Sequence, residues 1–381
     1  MNVIRWIGFA VGVVVVVLTA IGVIFTLVLP RARAAPQRLS MIINRATHTA
    51  FVRIASRSPR YETVDSRLAP AGPVALILQL VLWLTCFLVG FTLMQWPYAE
   101  SFPRAVRLAG SGLLTVGLAT PDLGANAAVT LVSAATGAIV IALQIAYLPA
   151  IYSAYNRREA LVTMLESRAG VPAWGPELLV RHRLVQITDT LPKLYDDWEQ
   201  WSAEVSESHT TYPVLMHFRS PEPWYSWVLA LLAVLDAAAM HLSLNPETAP
   251  SEARLCLRMG FTAFRRMAAS LGWEYDKDPL PDARIALTFA EFEQAVALLT
   301  QAGFETERTP EEAWPHFTGW RINYETLAYR LADATLAPPA PWSGPRRHLR
   351  LAVVNPNRPP HRAPGGIERS YRLDGRPDAE L

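Results

Sequence analysis

Lysine and cysteine are scarce in this chain of 381 residues, which contains only two of each. The lysines are Lys193 and Lys277, so arginine supplies nearly all of the positive charge, and an arginine stays charged beside a lipid phosphate or a carboxylate. Cys86 lies in a long apolar run and Cys256 lies far from it in sequence, which excludes a disulfide framework and gives no metal-binding spacing. We therefore expect the soluble part of the chain to occupy a reducing compartment.

Catalytic and cofactor-binding motifs are also missing from the sequence. It contains no glycine-rich phosphate loop, no GxGxxG, no HExxH and no serine elbow, so we predict no catalytic residue and no cofactor. Glu204, Glu207, His209 and His217 are residue types that bind metals, but their spacing matches no known ligand set. We interpret them as a helix end and a turn, with a metal site as the alternative. The net charge of +2 gives no indication of a nucleic-acid partner.

Long apolar runs dominate what is present, and 51% of the residues are hydrophobic. The runs cover Val3–Leu29, Pro73–Gln95 and Ala127–Tyr152, and each is long enough at about 1.5 Å per residue to cross about 30 Å of hydrocarbon. A cleaved signal peptide is the alternative for the first run, but that run exceeds the usual signal-peptide core and arginines follow it. We predict three transmembrane helices, with residues 1–29 as an N-terminal anchor.

An arginine-rich linker at residues 30–72 predicts the orientation of these helices. It holds eight arginines against only two acidic residues, Glu62 and Asp65, and the positive-inside rule then makes the linker cytoplasmic. The N-terminus is accordingly expected outside the cell membrane, and everything after the third helix inside. Within the linker, Leu39–Ile54 mixes apolar residues with arginines. It either lies along the anionic inner leaflet, with lipid as its partner, or is a solvated linker.

A segment too short to span the membrane lies between the second and third runs. Phe102–Leu114 starts with proline at its second position, a position typical of a helix start, and has only about a dozen residues. Such a helix can only enter the membrane and return. Non-helical backbone at that depth must be covered by protein or by a water-filled cavity, so we predict that the following Thr115–Thr120 lines a pore through its carbonyl groups.

The order of membrane helix, short helix, Thr-Val-Gly and inner helix over Pro73–Tyr155 resembles the two-helix pore module of potassium channels. The resemblance implies a homotetrameric cation channel, with K⁺ as the expected ion. It also implies that the ion filter consists of Thr115, Val116, Gly117, Leu118, Ala119 and Thr120. Residues 73–155 would form the pore module.

Three filter positions depart from the family, which has tyrosine, glycine and aspartate where this chain has Leu118, Ala119 and Thr120. The changes remove a hydroxyl hydrogen bond, a residue that tolerates the left-handed conformation, and a carboxylate at the outer mouth. Gly137, midway along the inner helix, is the candidate gating hinge, with close helix packing as the alternative. The nucleotide-sensing α/β domain of many bacterial potassium channels is missing, and so is an arginine-rich voltage-sensor helix.

Helical start and stop signals continue through residues 156–336, which we predict to be a cytoplasmic α-helical domain. Thr288 with Glu291 forms a capping-box pattern, and several predicted helices are followed by glycine. Trp227–Leu244 approaches membrane length but contains Asp236 and His241. We interpret it as a buried core helix, with a fourth membrane span as the alternative. Nine prolines and eight arginines in residues 337–381 predict a disordered cytoplasmic tail.

The expected fold is therefore all-α, a multi-pass membrane protein with three transmembrane helices, a re-entrant pore helix and a cytoplasmic α-helical domain. A cation channel is the expected function. A non-conducting membrane scaffold or sensor, which keeps the channel fold and signals through its helical domain, is the main alternative. A membrane-bound enzyme is the third hypothesis.

Overall fold

A computed structural model describes residues 2–28, 38–121, 124–280 and 283–344. These residues form helices and contain no strand, which confirms the all-α class. In chain order the α-helices are α1 (Asn2–Leu27), α2 (Arg38–Ala55), α3 (Tyr61–Leu68), α4 (Ala71–Gln95), α5 (Phe102–Leu113), α6 (Ala125–Ala169), α7 (Gly175–Leu184), α8 (Leu191–Thr211), α9 (Trp227–Leu244), α10 (Ser251–Ser270), α11 (Phe289–Gln301), α12 (Pro310–Arg321) and α13 (Glu325–Ala334). Two short 3-10 helices cover Thr188–Thr190 and Pro213–His217.

Among the described residues, four helical segments are long and apolar enough to cross a membrane. They are Val3–Leu27, Tyr61–Gln95, Ala125–Ala169 and Trp227–Leu244. The first three match the predicted runs, and a multi-pass membrane protein is compatible with them.

The chain divides into two compact units. Unit 1 contains residues 1–53 and 70–153, and unit 2 contains residues 54–69 and 154–381. Unit 1 thus includes α1, α4, α5 and the first part of α6, whereas α3 and the last part of α6 belong to unit 2. The division after Ser153 falls close to the predicted end of the pore module.

Small residues allow α1 and α4 of unit 1 to approach closely. A Cβ atom added to Gly12 would lie 2.6 Å from the carbonyl oxygen of Gly90, so a larger residue would force the two backbones apart. The core beside this crossing contains Trp83, Phe87 and Phe91 of α4. Large apolar side chains elsewhere on α1, α4 and α6 stay exposed, a pattern compatible with contact with lipid. Examples that are more than half exposed are Val14, Ile77, Leu131 and Ile145.

Helix α6 runs for 45 residues without interruption. We predicted one helix ending at Tyr152 and a second starting at Asn156, and that break is absent. Polar residues after Tyr155 ended the apolar run, but a change from apolar to polar composition does not require a helix to stop. Pro149 lies inside the helix, and Gly170 follows its end with a φ of +76°.

Helix α9 lies at the centre of unit 2. All 18 residues of Trp227–Leu244 are buried, and α7, α8, α10, α12 and α13 pack around them. The side chain of Ser226 accepts a hydrogen bond from the Leu229 backbone at the start of the helix. Protein rather than lipid therefore covers this apolar helix, which is the environment that we predicted for it.

Helix ends in unit 2 follow the predicted caps at several points. Thr288 and Glu291 form the predicted capping box, and Thr309 with Glu312 forms another before Pro310.

The predicted disordered tail is wrong in its first eight residues, because residues 337–344 are described and largely buried. Trp342 packs in the core of unit 2, where its ring lies 5.3 Å from the Arg321 guanidinium carbon. The remainder of the predicted tail lies outside the described residues.

Candidate functional site

Helix α5 directly precedes the predicted filter in the chain. It has 12 residues, a length of about 18 Å, and is too short to span a bilayer. Its buried face packs on α4 and on the start of α6. The Ser133 hydroxyl of α6 donates to the Ala109 carbonyl at 3.3 Å, and a Cβ atom added to Gly112 would lie 3.0 Å from the Thr130 carbonyl oxygen. The C-terminal end of α5 is therefore held tightly against α6.

Gly137 lies at the closest point of this contact. A Cβ atom added to it would lie only 1.8 Å from the carbonyl oxygen of Leu113, the last residue of α5. The absence of a side chain is thus required for packing, which was the alternative reading of this glycine. A hinge at Gly137 is neither required nor opposed by this contact, and it stays a prediction.

The predicted filter leaves α5 in a backbone conformation with alternating signs of φ. Thr115 has a φ of +54° and Gly117 a φ of +74°, whereas Val116 and Leu118 keep negative values. The Val116 N–H donates to the Ser111 carbonyl at 3.1 Å, which folds the start of the segment back onto α5. A β-branched residue in the left-handed region costs about 1–3 kcal/mol, so Thr115 is a strained position.

Ala119 stands where the family has a glycine that tolerates the left-handed conformation, and its φ is not positive. The left-handed non-glycine residue in front of it is Thr115, and the sign alternation ends at Leu118. Ser111 holds Ala119 by both backbone groups. The Ala119 N–H donates to the Ser111 hydroxyl oxygen at 3.1 Å, and the hydroxyl lies 3.2 Å from the Ala119 carbonyl oxygen, to which it donates.

Sequence reasoning missed Ser111, although it is a nearly buried hydroxyl at the end of a short helix. It also missed a polar group that joins α4 to α6. Gln95 is fully buried, and its amide donates to the Thr130 hydroxyl at 2.8 Å. The oxygen of that amide and both side-chain polar atoms of Asn126 have no hydrogen-bond partner among the described residues. Amides inside apolar runs were the signal that could have identified them.

The predicted filter side chains are exposed in the single chain. Leu118 is 78% exposed and Val116 is 55% exposed, and Thr115, Gly117 and Thr120 are exposed as well. Ala119 is half-buried against α5. The segment from Thr115 to Thr120 is thus exposed except at Ala119, which Ser111 holds against α5.

The four metal-type residues of unit 2 do not converge. Glu204 pairs with Arg157 and Glu207 with Arg266, each at 3.5 Å and near solvent. His209 is fully buried, and its Nε2 lies 2.9 Å from Nη1 of Arg158. Among the described residues, no group of three or more histidine, cysteine or acidic side chains is placed to hold a metal ion.

Unit 2 instead contains a buried ionic cluster around Arg321. This arginine is fully buried and lies 2.8 Å from the Asp236 carboxylate and 2.7 Å from the Glu325 carboxylate. It also donates to the Trp342 carbonyl at 2.8 Å and to the Tyr329 hydroxyl at 3.0 Å. Burial raises the pKa of Tyr329 to about 12, which keeps its hydroxyl protonated. Nη1 of Arg321 and Oδ2 of Asp236 form an ion pair without hydrogen-bond geometry, and the whole cluster is buried away from solvent.

Comparison of the chain with protein-family models, with curated proteins and with solved structures yields no match. A proposal for the function of this protein therefore rests on the geometry of the chain.

Proposed function

We propose that this chain forms a homotetrameric cation channel of the potassium-channel type, in which Thr115–Thr120 lines the ion path. One observation carries the proposal. A short helix that cannot span a membrane ends in an exposed segment whose φ alternates in sign from Thr115 to Leu118. Residues of opposite φ sign interrupt the helical hydrogen-bond pattern, and backbone carbonyls released from a helix can replace the hydration shell of a cation such as K⁺.

Assembly into a tetramer follows from the exposure of the segment. One chain supplies only one wall of a pore, and copies related by a rotation axis would close it. Exposed aliphatic side chains at Val116 and Leu118 are costly in water, and neighbouring copies would cover them. In this arrangement α5 is the re-entrant pore helix, lipid contacts the apolar outer faces of α1, α4 and α6, and unit 2 is cytoplasmic with the N-terminus outside.

The first test is K⁺ flux into liposomes that contain the purified full-length protein. Gly117→Val should abolish flux. No atom lies within 4 Å of the position of an added Cβ atom, so the effect would come from the φ of +74° rather than from a clash within the chain. Gly110→Ala is the matched control, because the nearest atom to its added Cβ is 3.6 Å away. Equal flux in wild type and Gly117→Val would exclude an ion path through this segment.

The second test addresses selectivity. The double substitution Leu118→Tyr with Ala119→Gly should raise the permeability of K⁺ over Na⁺, because glycine at position 119 lets the alternation continue for one more residue. The Ser111→Ala variant should lower K⁺ flux, because it removes the two contacts that hold the backbone of Ala119 against α5.

A non-conducting scaffold or sensor is the second candidate function. It is favoured by the end of the φ alternation at Leu118 and by the large side chain that Leu118 presents. A tetramer that is silent as wild type and also with the restored residues at 118 and 119 would support the scaffold and reject the channel.

A further inference from the structure

Two helices of unit 2 are covalently continuous with helices of unit 1. Helix α3 is followed, after Ala69 and Pro70, by α4. The last part of α6, from Ala154, belongs to unit 2, and the rest of the same helix belongs to unit 1. In the proposed channel, α4 is the helix before the pore helix and α6 is the inner helix. A single short segment of unit 2, residues 213–219, contacts both α3 and the part of α6 that belongs to unit 2.

On the α6 side, the segment is held by Arg158 and Tyr155. The Arg158 guanidinium is fully buried and donates to the Leu215 carbonyl at 2.9 Å and to the Phe218 carbonyl at 2.7 Å. The Tyr155 hydroxyl donates to the Arg219 carbonyl at 3.1 Å, and the Tyr155 and Phe218 ring centroids are 5.8 Å apart. Arg158 thereby fixes both ends of the turn that directly precedes Arg219.

On the α3 side, the side chain of Arg219 makes the connection. Its guanidinium pairs with the Asp65 carboxylate and donates to the Tyr61 hydroxyl, and both acidic and basic side chains are about nine-tenths buried. The same guanidinium donates to the Thr335 carbonyl at 2.6 Å and to the Leu336 carbonyl at 3.2 Å. Arg219 therefore joins α3 to the end of α13, while its own backbone is bonded to α6.

We propose that residues 213–219 form a coupling segment that makes the positions of α3 and α6 depend on each other, and through them regulates conduction. The regulatory part rests on the proposed channel function. Phe218 and Arg219 are adjacent in sequence, so only one planar peptide bond separates the group held by Arg158 from the residue that holds Asp65. Removing the partner of a buried charged group costs much free energy. We therefore expect α3 and α6 to shift together rather than separately.

Hydrogen exchange in the full-length protein tests the coupling without any need for ion flux. Asp65→Asn weakens the bond on the α3 side, and we expect amide exchange in residues 155–165 of α6 to accelerate at least threefold. Glu62→Gln is the matched control, because Glu62 is on the same helix but accepts from the Trp224 indole, outside the segment. In the Glu62→Gln variant, the rate of amide exchange in residues 155–165 should stay within twofold of the wild-type rate.

A milder variant covers the case in which Asp65→Asn fails to fold. Tyr61→Phe removes only one hydroxyl from the Arg219 site, and it should accelerate the same α6 amides in the same direction. Unchanged α6 exchange in whichever of the two variants folds overturns the coupling segment.

Flux into liposomes then tests the regulatory part. K⁺ flux should change at least threefold in Asp65→Asn and in Tyr61→Phe, in the same direction in both, and stay at the wild-type rate in Glu62→Gln. Faster α6 exchange with unchanged flux would keep the coupling and reject regulation. A wild type without flux would instead reject the proposed channel function, while the exchange experiment would still decide whether residues 213–219 connect the two helices.

Discussion

At the scale of single residues, three arginines of unit 2 form buried or nearly buried networks of hydrogen bonds. Arg158, Arg219 and Arg321 each bond at least one carboxylate and at least one backbone carbonyl. Arginine suits such sites because its planar group offers five donors. Nothing in the local sequence separates them from arginines on the surface, since their burial is decided by helices that are distant in the chain.

The Arg321 cluster gives a stability prediction. Arg321→Met should lower the free energy of unfolding by about 3–5 kcal/mol, because it leaves the buried carboxylates of Asp236 and Glu325 unpaired. The control is Arg266→Met, whose arginine pairs with Glu207 near solvent and should contribute less than about 1 kcal/mol. Thermal unfolding of the detergent-solubilised protein, followed by tryptophan fluorescence, measures both. Equal unfolding of the two variants would contradict the role given to the cluster.

His209 gives a prediction for pH. Burial lowers the pKa of His209 well below the ordinary value of about 6.5, and the adjacent Arg158 lowers that pKa further. Below pH 6.5 the unfolded chain binds a proton here that the folded chain does not, so stability is present above pH 6.5 and is lost as the pH falls. The slope contributed by this residue approaches about 1.4 kcal/mol per pH unit.

Unfolding measured at pH 5 and at pH 7 tests this. His209→Gln should flatten the difference, since glutamine can still accept from Arg158 but does not titrate. The remaining slope includes His182, whose pKa burial also lowers. His316→Gln makes the same substitution at an exposed position and is the matched control. A His209→Gln protein that keeps the full slope would contradict the assignment.

At the scale of elements, the contact between α5 and α6 depends on a missing side chain. Gly137→Ala should destabilise unit 1 by about 1–3 kcal/mol, because the new methyl group would overlap the Leu113 carbonyl oxygen and push α5 away from α6. Gly110→Ala should be neutral or stabilising, because the site has room and alanine is the better helix former. Unfolding of both variants in the same detergent provides the comparison. Tolerance of alanine at position 137 would show that the contact is looser than described.

Elements with a local signal were predictable from the sequence, and those set by packing were not. Proline at the start of α5 and the capping box at Thr288 placed two helix starts, and apolar length identified α1, α4 and α9. The continuity of α6 was missed because composition changes at Tyr155 while the helix does not. In the filter, the residue types indicated that Ala119 disfavours the left-handed conformation, but not that Thr115 adopts it or that Ser111 bonds both backbone groups of Ala119. Those bonds join residues eight positions apart, beyond any helical period.

At the scale of the whole molecule, the arginine-rich linker and the burial of α9 make a joint prediction about sidedness. A reporter fused after Leu381 should be cytoplasmic. A cysteine at the exposed Glu100 should react with a membrane-impermeant maleimide from outside, in a chain that lacks Cys86 and Cys256. A C-terminal reporter outside the cell would mean that α9 crosses the membrane, and the bundle around it would then be wrong.

Pro149 creates a point in α6 at which the helix can bend. It has no N–H to donate to the Ile145 carbonyl, so bending stiffness is lowest at this point of the 45-residue helix. About 30 Å of helix separates Pro149 from Ala169 at about 1.5 Å per residue, so a bend of about 10° at the proline displaces the far end by about 5 Å. A bend of about 10° at one residue thus becomes, at the end of the helix, a displacement about as large as one helical turn.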